Sequence, residues 1–462
     1  MLQMNRREFL KDMMWFGAAS AASGCVSSGK CFFGGTEGAP MQGFAAPKLA
    51  LVRVGIVGMG GRGQGALHRL SSIPGVLVTA ICDNNPAKLD ESRQWIADKK
   101  LPAAVEYLGD EAWKDLCQAD CVDVVYNTTP WDLHVPVGLG AMRGGKHVMI
   151  EVPSAFTVDE CWELVETSEK TRRHCMQLEN CNYGEIEMLT LNLVRQGMFG
   201  ELVHAEGAYI HDLRHMCKMT WPGHEYWRFD FNQRLKGNQY PTHGLVPLCI
   251  DLNINHGDRL DYLVSLESGQ FNFKAYMDAV EAVPDYRRSA SVAMGDMNSS
   301  LIRTVNGKSL LIQHDVATPR PYSRIQFLSG TKGAITDYPF RVGFESKPGA
   351  GLHKWFTAEK ADEIRKAYKH PMWKQAGEIA KRRGGHGGMD YIMDLRWVDC
   401  LQRGLPLDTD VYDLASTCCL CELTEKSVLN RSRAYDIPDF TRGAWKTAKP
   451  LGIESLGSQV LG

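Results

Sequence analysis

The chain has 462 residues, 44% of them apolar, and its 52 Lys and Arg nearly balance its 54 Asp and Glu for a net charge of −2. That length holds a large core and roughly two domains. The balanced charge, with no basic stripe, argues against nucleic acid as a partner, and beyond the leader no apolar run is long enough to cross a membrane.

The leader comes first. Arg6 and Arg7 precede Phe9 and Leu10, and a modest apolar stretch follows at 13–22. The stretch is shorter than the ~20 residues a spanning helix takes and has the layout of a secretion signal. The twin arginines point to the machinery that exports folded proteins. Ala22-Ser23-Gly24 before Cys25 resembles a bacterial lipoprotein cleavage site, which would make Cys25 the lipidated first residue. The alternative is ordinary cleavage nearby, giving a soluble periplasmic protein. The expectation is therefore a periplasmic protein, attached to a membrane only through a lipid on Cys25. Residues 26–48, rich in Gly, Ser and Pro, read as a tether.

The next elements have dinucleotide-binding rhythm. Val52–Val57 is a buried-strand pattern, and Gly58-Met59-Gly60-Gly61-Arg62-Gly63 follows at once, leading into a helical stretch at 64–70. This is G-x-G-x-x-G between a strand and a helix. The glycines let backbone approach a pyrophosphate, and the helix N-terminus offers amide donors. A second strand, 76–82, ends in Asp83, an acid that can accept ribose hydroxyls and would repel a 2′-phosphate. The expected cofactor is NAD. Further strands at 122–127 and 147–150 alternate with helices at 135–143 and 158–171, so the sheet should be parallel and doubly wound. Asp83, Thr129, Trp131, His134 and Glu151 fall at the carboxyl ends of its strands, where a ligand belongs.

Alternating, partly apolar runs at 262–266, 270–276, 299–305 and 309–315 read as antiparallel strands, with another beginning at 199–204. Residues 390–401 and 411–429 read as helices, and 359–369 as a solvated one. In Gln239-Tyr240-Pro241-Thr242-His243, proline keeps Tyr240 out of a helix and Thr242 is a fair helix N-cap. Of the 14 cysteines, Cys82, Cys121 and Cys249 sit in apolar runs and read as buried core thiols. Cys418, Cys419 and Cys421 lack metal-binding C-x-x-C spacing. Few or no disulfides are expected. His211 and His215, four apart, lack a clear third ligand, so no metal site is expected. The boundaries that follow are a leader at 1–25, a linker at 26–48, a dinucleotide domain at 49–175, a substrate-binding and catalytic domain at 176–442 and a tail at 443–462.

The glycine motif, Thr129-Pro130 with His134, and Gly145-Lys146-His147-Val148 leading to Glu151-Val152-Pro153 together resemble the glucose-fructose oxidoreductase/inositol dehydrogenase (Gfo/Idh/MocA) superfamily. That resemblance implies a Rossmann domain followed by an α/β domain with a large open, mostly antiparallel sheet, and favours a homo-oligomer. Most dehydrogenases of the superfamily carry a lysine in Glu-Lys-Pro, where this chain has Val152. The later series is more specific: Glu179-Asn180 with Tyr183, residues 194–204, residues 209–214, Trp227-Arg228, Tyr240-Pro241-Thr242-His243-Gly244, residues 370–373, residues 385–391, residues 410–413 and residues 437–440. It is similar to glycoside hydrolase family 109, the NAD-dependent α-N-acetylgalactosaminidases, over about residues 50–442. In that family valine at the lysine position is normal.

The resemblance implies cofactor contacts at Gly61, Arg62, Asp83, Trp131 to His134, Glu151, Val152 and Asn180, joining Gly58, Gly60, Gly63 and Thr129 of the motif. It implies sugar contacts at Tyr209, Arg228, Tyr240, Thr242, His243 and Tyr322. It also implies a cycle of oxidation, elimination, addition and reduction on a terminal N-acetylgalactosamine, with NAD bound tightly and recycled. Such a cycle needs groups that give and take protons; His243 and Tyr240 are the expected pair, with Tyr322 and Tyr183 as further candidates. Competing expectations are a net sugar or inositol dehydrogenase, and a non-catalytic sugar-binding lipoprotein.

Overall fold

The computed structural model describes residues 38–221, 224–347 and 349–461. The twin-arginine and Cys25 readings, and most of the tether, fall on residues 1–37, outside the described residues.

Short apolar runs build the first sheet. Its strands are β1 (Val52–Val57), β2 (Val76–Asp83), β3 (Val105–Leu108), β4 (Val124–Asn127), β5 (His147–Ile150) and β6 (Cys175–Gln177). In β1, Val52, Val54, Ile56 and Val57 are all buried, the burial on both faces that a central parallel strand requires. The order is β3-β2-β1-β4-β5-β6, with every pair parallel. The winding reverses between β1 and β4, which opens a crevice at the carboxyl ends of the strands. Pairing sets Val57 beside Cys82 and Asn127, and Asn127 beside Ile150. Gly58, Asp83, Thr128 and Glu151 therefore leave the sheet side by side.

The second sheet starts with β7 (Leu202–Ile210); a short hairpin, β8 (Thr220–Trp221) and β9 (His224–Glu225), follows it. The remaining strands are β10 (Leu260–Glu267), β11 (Asn298–Thr304), β12 (Ser309–Asp315), β13 (Phe327–Gly330), β14 (Gly333–Thr336), β15 (Arg341–Phe344) and β16 (Tyr435–Asp436). The order is β15-β14-β13-β7-β12-β11-β10-β16, and only the β7–β12 pair is parallel. In β11, Ser300, Ile302 and Thr304 are buried while Leu301 and Arg303 are exposed, a period-two pattern with one covered face. The helices Thr242–Asp251 and Leu420–Leu429 cover that face over β7 and β10. A Cβ on Gly207 of β7 would lie 2.0 Å from the Gly244 carbonyl, so helix and strand meet backbone to backbone. That contact brings Tyr240 and His243 over Tyr209. The other face leaves Tyr262, Leu266 and Leu301 exposed.

Several elements differ from expectation. Residues 270–276 are not a strand: Asn272–Ala279 is a helix that buries Phe273 and Met277, four apart, and the Asp296 carboxylate accepts from the Phe271 and Asn272 amides at its start. Thr242 is not an N-cap; it is the first helical residue, after Pro241. The strand expected to begin at 199 begins at Leu202 and extends to Ile210. The helix expected over 411–429 is divided at Cys419 into Val411–Cys418 and Leu420–Leu429.

Residues 38–48 lie against the body instead of hanging as a tether. Met41 and Ala46 are buried, and the Met41 amide donates to the Tyr412 hydroxyl. The tail residues Trp445, Leu456 and Val460 are likewise buried. Both segments carry apolar side chains that find core positions despite their loop-like composition. All twelve described cysteines are free thiols; Cys82 and Cys249 are buried as expected, but Cys121, expected in the core, is only partly buried, and it alone of the twelve is so.

Candidate active site

The site grows out of the β1 turn. Gly58 has a φ of +92°, and a Cβ on Gly63 would lie 1.9 Å from the Gly58 carbonyl, so this glycine permits the tight packing of turn on helix. Cβ atoms on Gly60 and Gly61 would meet nothing within 4 Å; that side of the turn is open. The helix Gly61–Leu70 starts with no side-chain cap, leaving amide donors for an anion. Asp83 ties the turn down: its carboxylate accepts from the Met59 amide at 2.6 Å and the Asn85 amide at 2.8 Å. Each of its oxygens keeps a further lone pair. These features fit a dinucleotide pyrophosphate and ribose. Asp83→Ala is expected to weaken NAD binding by ~1.5–3 kcal/mol, the worth of bonds to a charged group, as read by calorimetric titration; unchanged affinity would remove Asp83 from the ribose site.

From the turn the crevice opens into a cleft of about 660 Å³, lined by the loops that follow the first sheet's strands and by Tyr209 of β7 with the helices beside it. The Rossmann-side wall is rigid. The Trp131 indole donates to the Val152 carbonyl at 3.2 Å. His134 is fully buried, with Nδ1 at 2.8 Å from the Pro153 carbonyl and Nε2 at 2.9 Å from the Thr129 carbonyl. Burial pushes its pKa down to about 4, so it is a neutral strut holding the Thr129 and Pro153 turns together. Val152 gives the wall an apolar point with no proton to move.

Arg62 crosses the cleft floor. Its Nε donates to Glu151 at 2.8 Å and its Nη1 to Asp390 at 2.9 Å. Asp390 also accepts from the Asn180 amide, lies 3.0 Å from His386 Nδ1, and pairs with Arg69 at 3.6 Å. Burial opposes its ionisation, yet the His386 hydrogen bond and the charges of Arg62 and Arg69 hold its carboxyl well below the usual range.

The opposite wall is aromatic. The Tyr240 ring lies 4.6 Å from that of Tyr209 at a tilt of 34°, and His243 meets the two rings edge-on at 4.8 and 5.3 Å. The Arg228 guanidinium lies 5.1 Å from the Trp131 and Tyr240 ring centres and 5.2 Å from that of Trp227. Its buried Nε has no hydrogen-bond partner, an orphaned donor of the kind a ligand satisfies. Burial pushes the Tyr240 phenol well up, with Arg228 working against it; the hydroxyl keeps its proton at neutral pH and acts as a donor.

His243 Nδ1 lies 2.7 Å from Glu179 Oε1. Burial works against the Glu179 carboxylate, but the charge and hydrogen bond of His243 hold its pKa below the ordinary value. The pairing fixes the ring and leaves Nε2 available to the cleft. Glu179, Cys181 and His243 are close enough to share an ion, but burial pushes the Cys181 thiol well above its usual pKa, and a protonated thiol is a poor ligand.

The cleft thus brings together Arg62, Thr129, Trp131, His134, Glu151, Val152, Asn180, Tyr209, Arg228, Tyr240 and His243. Tyr322 stands at the rim, 38% exposed, its ring 6.4 Å from Tyr209. Two expected residues are not delivered. The Tyr183 phenol is buried elsewhere, 3.1 Å from Asp408, because its ring serves the core behind the cleft. Thr242 is fully buried in the first turn of its helix. Sequence reasoning assigned no role to Glu179, Trp227 or Asp390. In the sequence Glu179 stands out only as part of the Glu179-Asn180 motif, an acid inside the otherwise uncharged stretch Leu178 to Tyr183.

Comparison with known proteins agrees with this architecture. The NAD-binding Rossmann fold of the Gfo/Idh/MocA oxidoreductase family matches residues 52–178. A solved NAD binding oxidoreductase from Klebsiella pneumoniae superposes with a TM-score of 0.66 at 17% identity, covering 84% of this chain and 99% of that one. Levoglucosan dehydrogenase in complex with NADH and levoglucosan superposes at 0.63 with 16% identity, over 84% and 99%. At such identities the likeness is one of fold. Fold and cleft define an NAD-dependent enzyme of this oxidoreductase type that acts on sugars. The glycosyl hydrolase 109 C-terminal domain matches residues 183–447. A family 109 protein of Shewanella pealeana is 43% identical over 98% of this chain and 99% of its own, and one of Bacteroides thetaiotaomicron 47% identical over 86% of each. The chain belongs to glycosyl hydrolase family 109.

Proposed function

We propose that the protein hydrolyses glycosides with a terminal N-acetylgalactosamine, α-linked, by an oxidation-elimination-addition-reduction cycle with NAD held tightly and regenerated at each turnover. The observation that carries this reading is how the cleft's carboxylates are used. An ordinary glycosidase needs two carboxyl groups ~5–10 Å apart across the scissile bond. Glu151, a carboxylate lining the cleft, is bound to Arg62, and Glu179 behind it is bound to His243. The groups available for proton transfer are an imidazole and phenols.

A bound nicotinamide supplies removal of hydride from carbon 3 of the sugar and its later return. Gly58 to Gly63 and Asp83 hold that cofactor, with Arg62 and Asn180 beside it. The protein's own work is proton transfer. His243 Nε2 takes a proton from the sugar, and Glu179 stabilises the imidazolium that forms. A ketone at carbon 3 acidifies the hydrogen on carbon 2, and a second base lining the cleft takes that proton before the glycosidic oxygen departs from carbon 1. Tyr240 donates its proton to the departing oxygen and recovers one from the water that adds. Arg228, caged by Trp131, Trp227 and Tyr240, offers its unpaired Nε to a sugar oxygen. The leader supports export of this protein in folded form with its cofactor aboard.

The test is hydrolysis of an α-N-acetylgalactosaminide in heavy water. Deuterium should appear on carbon 2 of the released sugar, with no accumulation of NADH. Release without deuterium would defeat the elimination mechanism, and accumulating NADH would return the protein to the dehydrogenases.

A further inference from the structure

A second cavity of about 550 Å³ adjoins the cleft, and His386 borders both. Its wall includes Glu187, Arg324, Asp337, Tyr338 and Trp373. A file of aromatic rings leads to it from the cofactor end. Trp131 to Tyr240 is 5.9 Å, Tyr240 to Tyr209 4.6 Å, Tyr209 to Tyr322 6.4 Å and Tyr322 to Tyr338 5.8 Å. The first members face the cleft, and the last reaches the second cavity.

The backbone here is held in an uncommon conformation. Ile325, Gln326, Tyr338 and His386 have φ of 62°, 50°, 61° and 47°. Left-handed geometry is unfavourable for bulky residues and most of all for β-branched ones such as Ile325. Two of these segments are pinned together: the Asp337 amide and the Thr336 hydroxyl both donate to the Ile325 carbonyl at 3.1 Å. Residues kept in such conformations cluster at ligand clamps. Two ion pairs of the cavity wall close within the protein, Arg324 with Glu187 at 2.5 Å and Glu185 with Arg365 at 3.1 Å, while among the described residues the Asp337 carboxylate accepts only from the Tyr338 amide, at 2.8 Å. A ligand here needs no charge of its own. It needs an apolar face for a ring and hydroxyls for carboxylate lone pairs.

We propose that this cavity is the subsite for the sugar on the leaving side of the scissile bond, a neutral pyranose stacked on Tyr338 with its hydroxyls bonded to Asp337 and Glu187. This rests on the glycosidase reading above. The terminal sugar occupies the cleft beneath Tyr240, and the rest of the glycan runs out past Tyr322. A methyl leaving group is too small to touch Tyr338, whereas a second sugar spans the distance.

The experiment compares kcat/KM of Tyr338→Ala, Tyr338→Phe and Asp337→Asn on a methyl glycoside and on a neutral trisaccharide with the same terminal sugar. Tyr338→Ala should lose about tenfold on the trisaccharide, the scale of one ring contact. Tyr338→Phe should recover most of that loss. Asp337→Asn should weaken the trisaccharide alone, and activity on the methyl glycoside and NAD affinity should stay unchanged in all three. Equal losses on both substrates, no loss on either, or weakened NAD binding would overturn the subsite while leaving the glycosidase reading intact. A wild-type enzyme that hydrolyses neither substrate would overturn that reading, and the subsite with it.

Discussion

His243→Ala is expected to lower kcat by about 10²–10⁴-fold, the contribution of a positioned acid/base, with NAD still bound. The imidazole sits in the cleft with one nitrogen committed to Glu179 at 2.7 Å, so its other nitrogen is the group that can exchange protons with a sugar. The cofactor turn is built from β1 and β2, on a different sheet, and should not sense the change. Glu179→Gln separates orientation from charge. Glutamine can still hydrogen-bond the ring but cannot stabilise an imidazolium, so kcat should fall and the acidic limb of the pH-rate profile should move, with KM little changed. Unaltered turnover in His243→Ala would remove the imidazole from the chemistry, and an unmoved pH profile in Glu179→Gln would reduce the carboxylate to a packing role.

Asp390→Ala should be the most destabilising single change near the cleft, by about 3 kcal/mol in urea unfolding, as for a buried ion-pair network that loses one partner. Asp390 is 1% exposed and receives Arg62, Arg69, Asn180 and His386 at once. Its removal leaves buried donors facing one another with no acceptor between them. The pH dependence has a fixed sign. The folded carboxyl titrates well below its unfolded value of ~3.9, so its contribution is fully present above that pH and is lost as pH falls from there through the folded value. The stability gap between wild type and Asp390→Ala should therefore be constant near neutrality and shrink in acid. A gap that grows in acid, or a variant as stable as wild type, would contradict the arrangement.

What the sequence disclosed follows the range over which each feature is encoded. The glycine turn, the strand before it and Asp83 lie within a few dozen residues, and their chemistry needs no distant partner, so the cofactor half was legible from pattern and spacing. Tyr240 and His243 stood out because proline and glycine fix the backbone around them. Glu179 gains its meaning only from an imidazole 64 residues away, and Asp390 from an arginine 328 residues away. Tyr183 belongs to the same motif as Glu179, but its phenol is claimed by Asp408, 225 residues on. The strand expected at 270–276 failed for a similar reason. Phe271 and Phe273 alternate as in a strand, while the deciding contact is a cap from Asp296, beyond the segment itself.

The buried thiols have a kinetic consequence. Sulfur reacts as thiolate, and burial both hides these groups and pushes their pKa up, to about 12 for Cys82, Cys117, Cys217 and Cys418. An oxidant must then wait for the surrounding structure to open before it can attack. Cys121, the partly exposed exception, is open to attack from the native state. The others act as slow clocks, each recording how often its own neighbourhood breathes. Once the chain opens fully, all become available together, and mispaired disulfides compete with refolding. In oxidising surroundings the lifetime of this protein is therefore set by its unfolding rate.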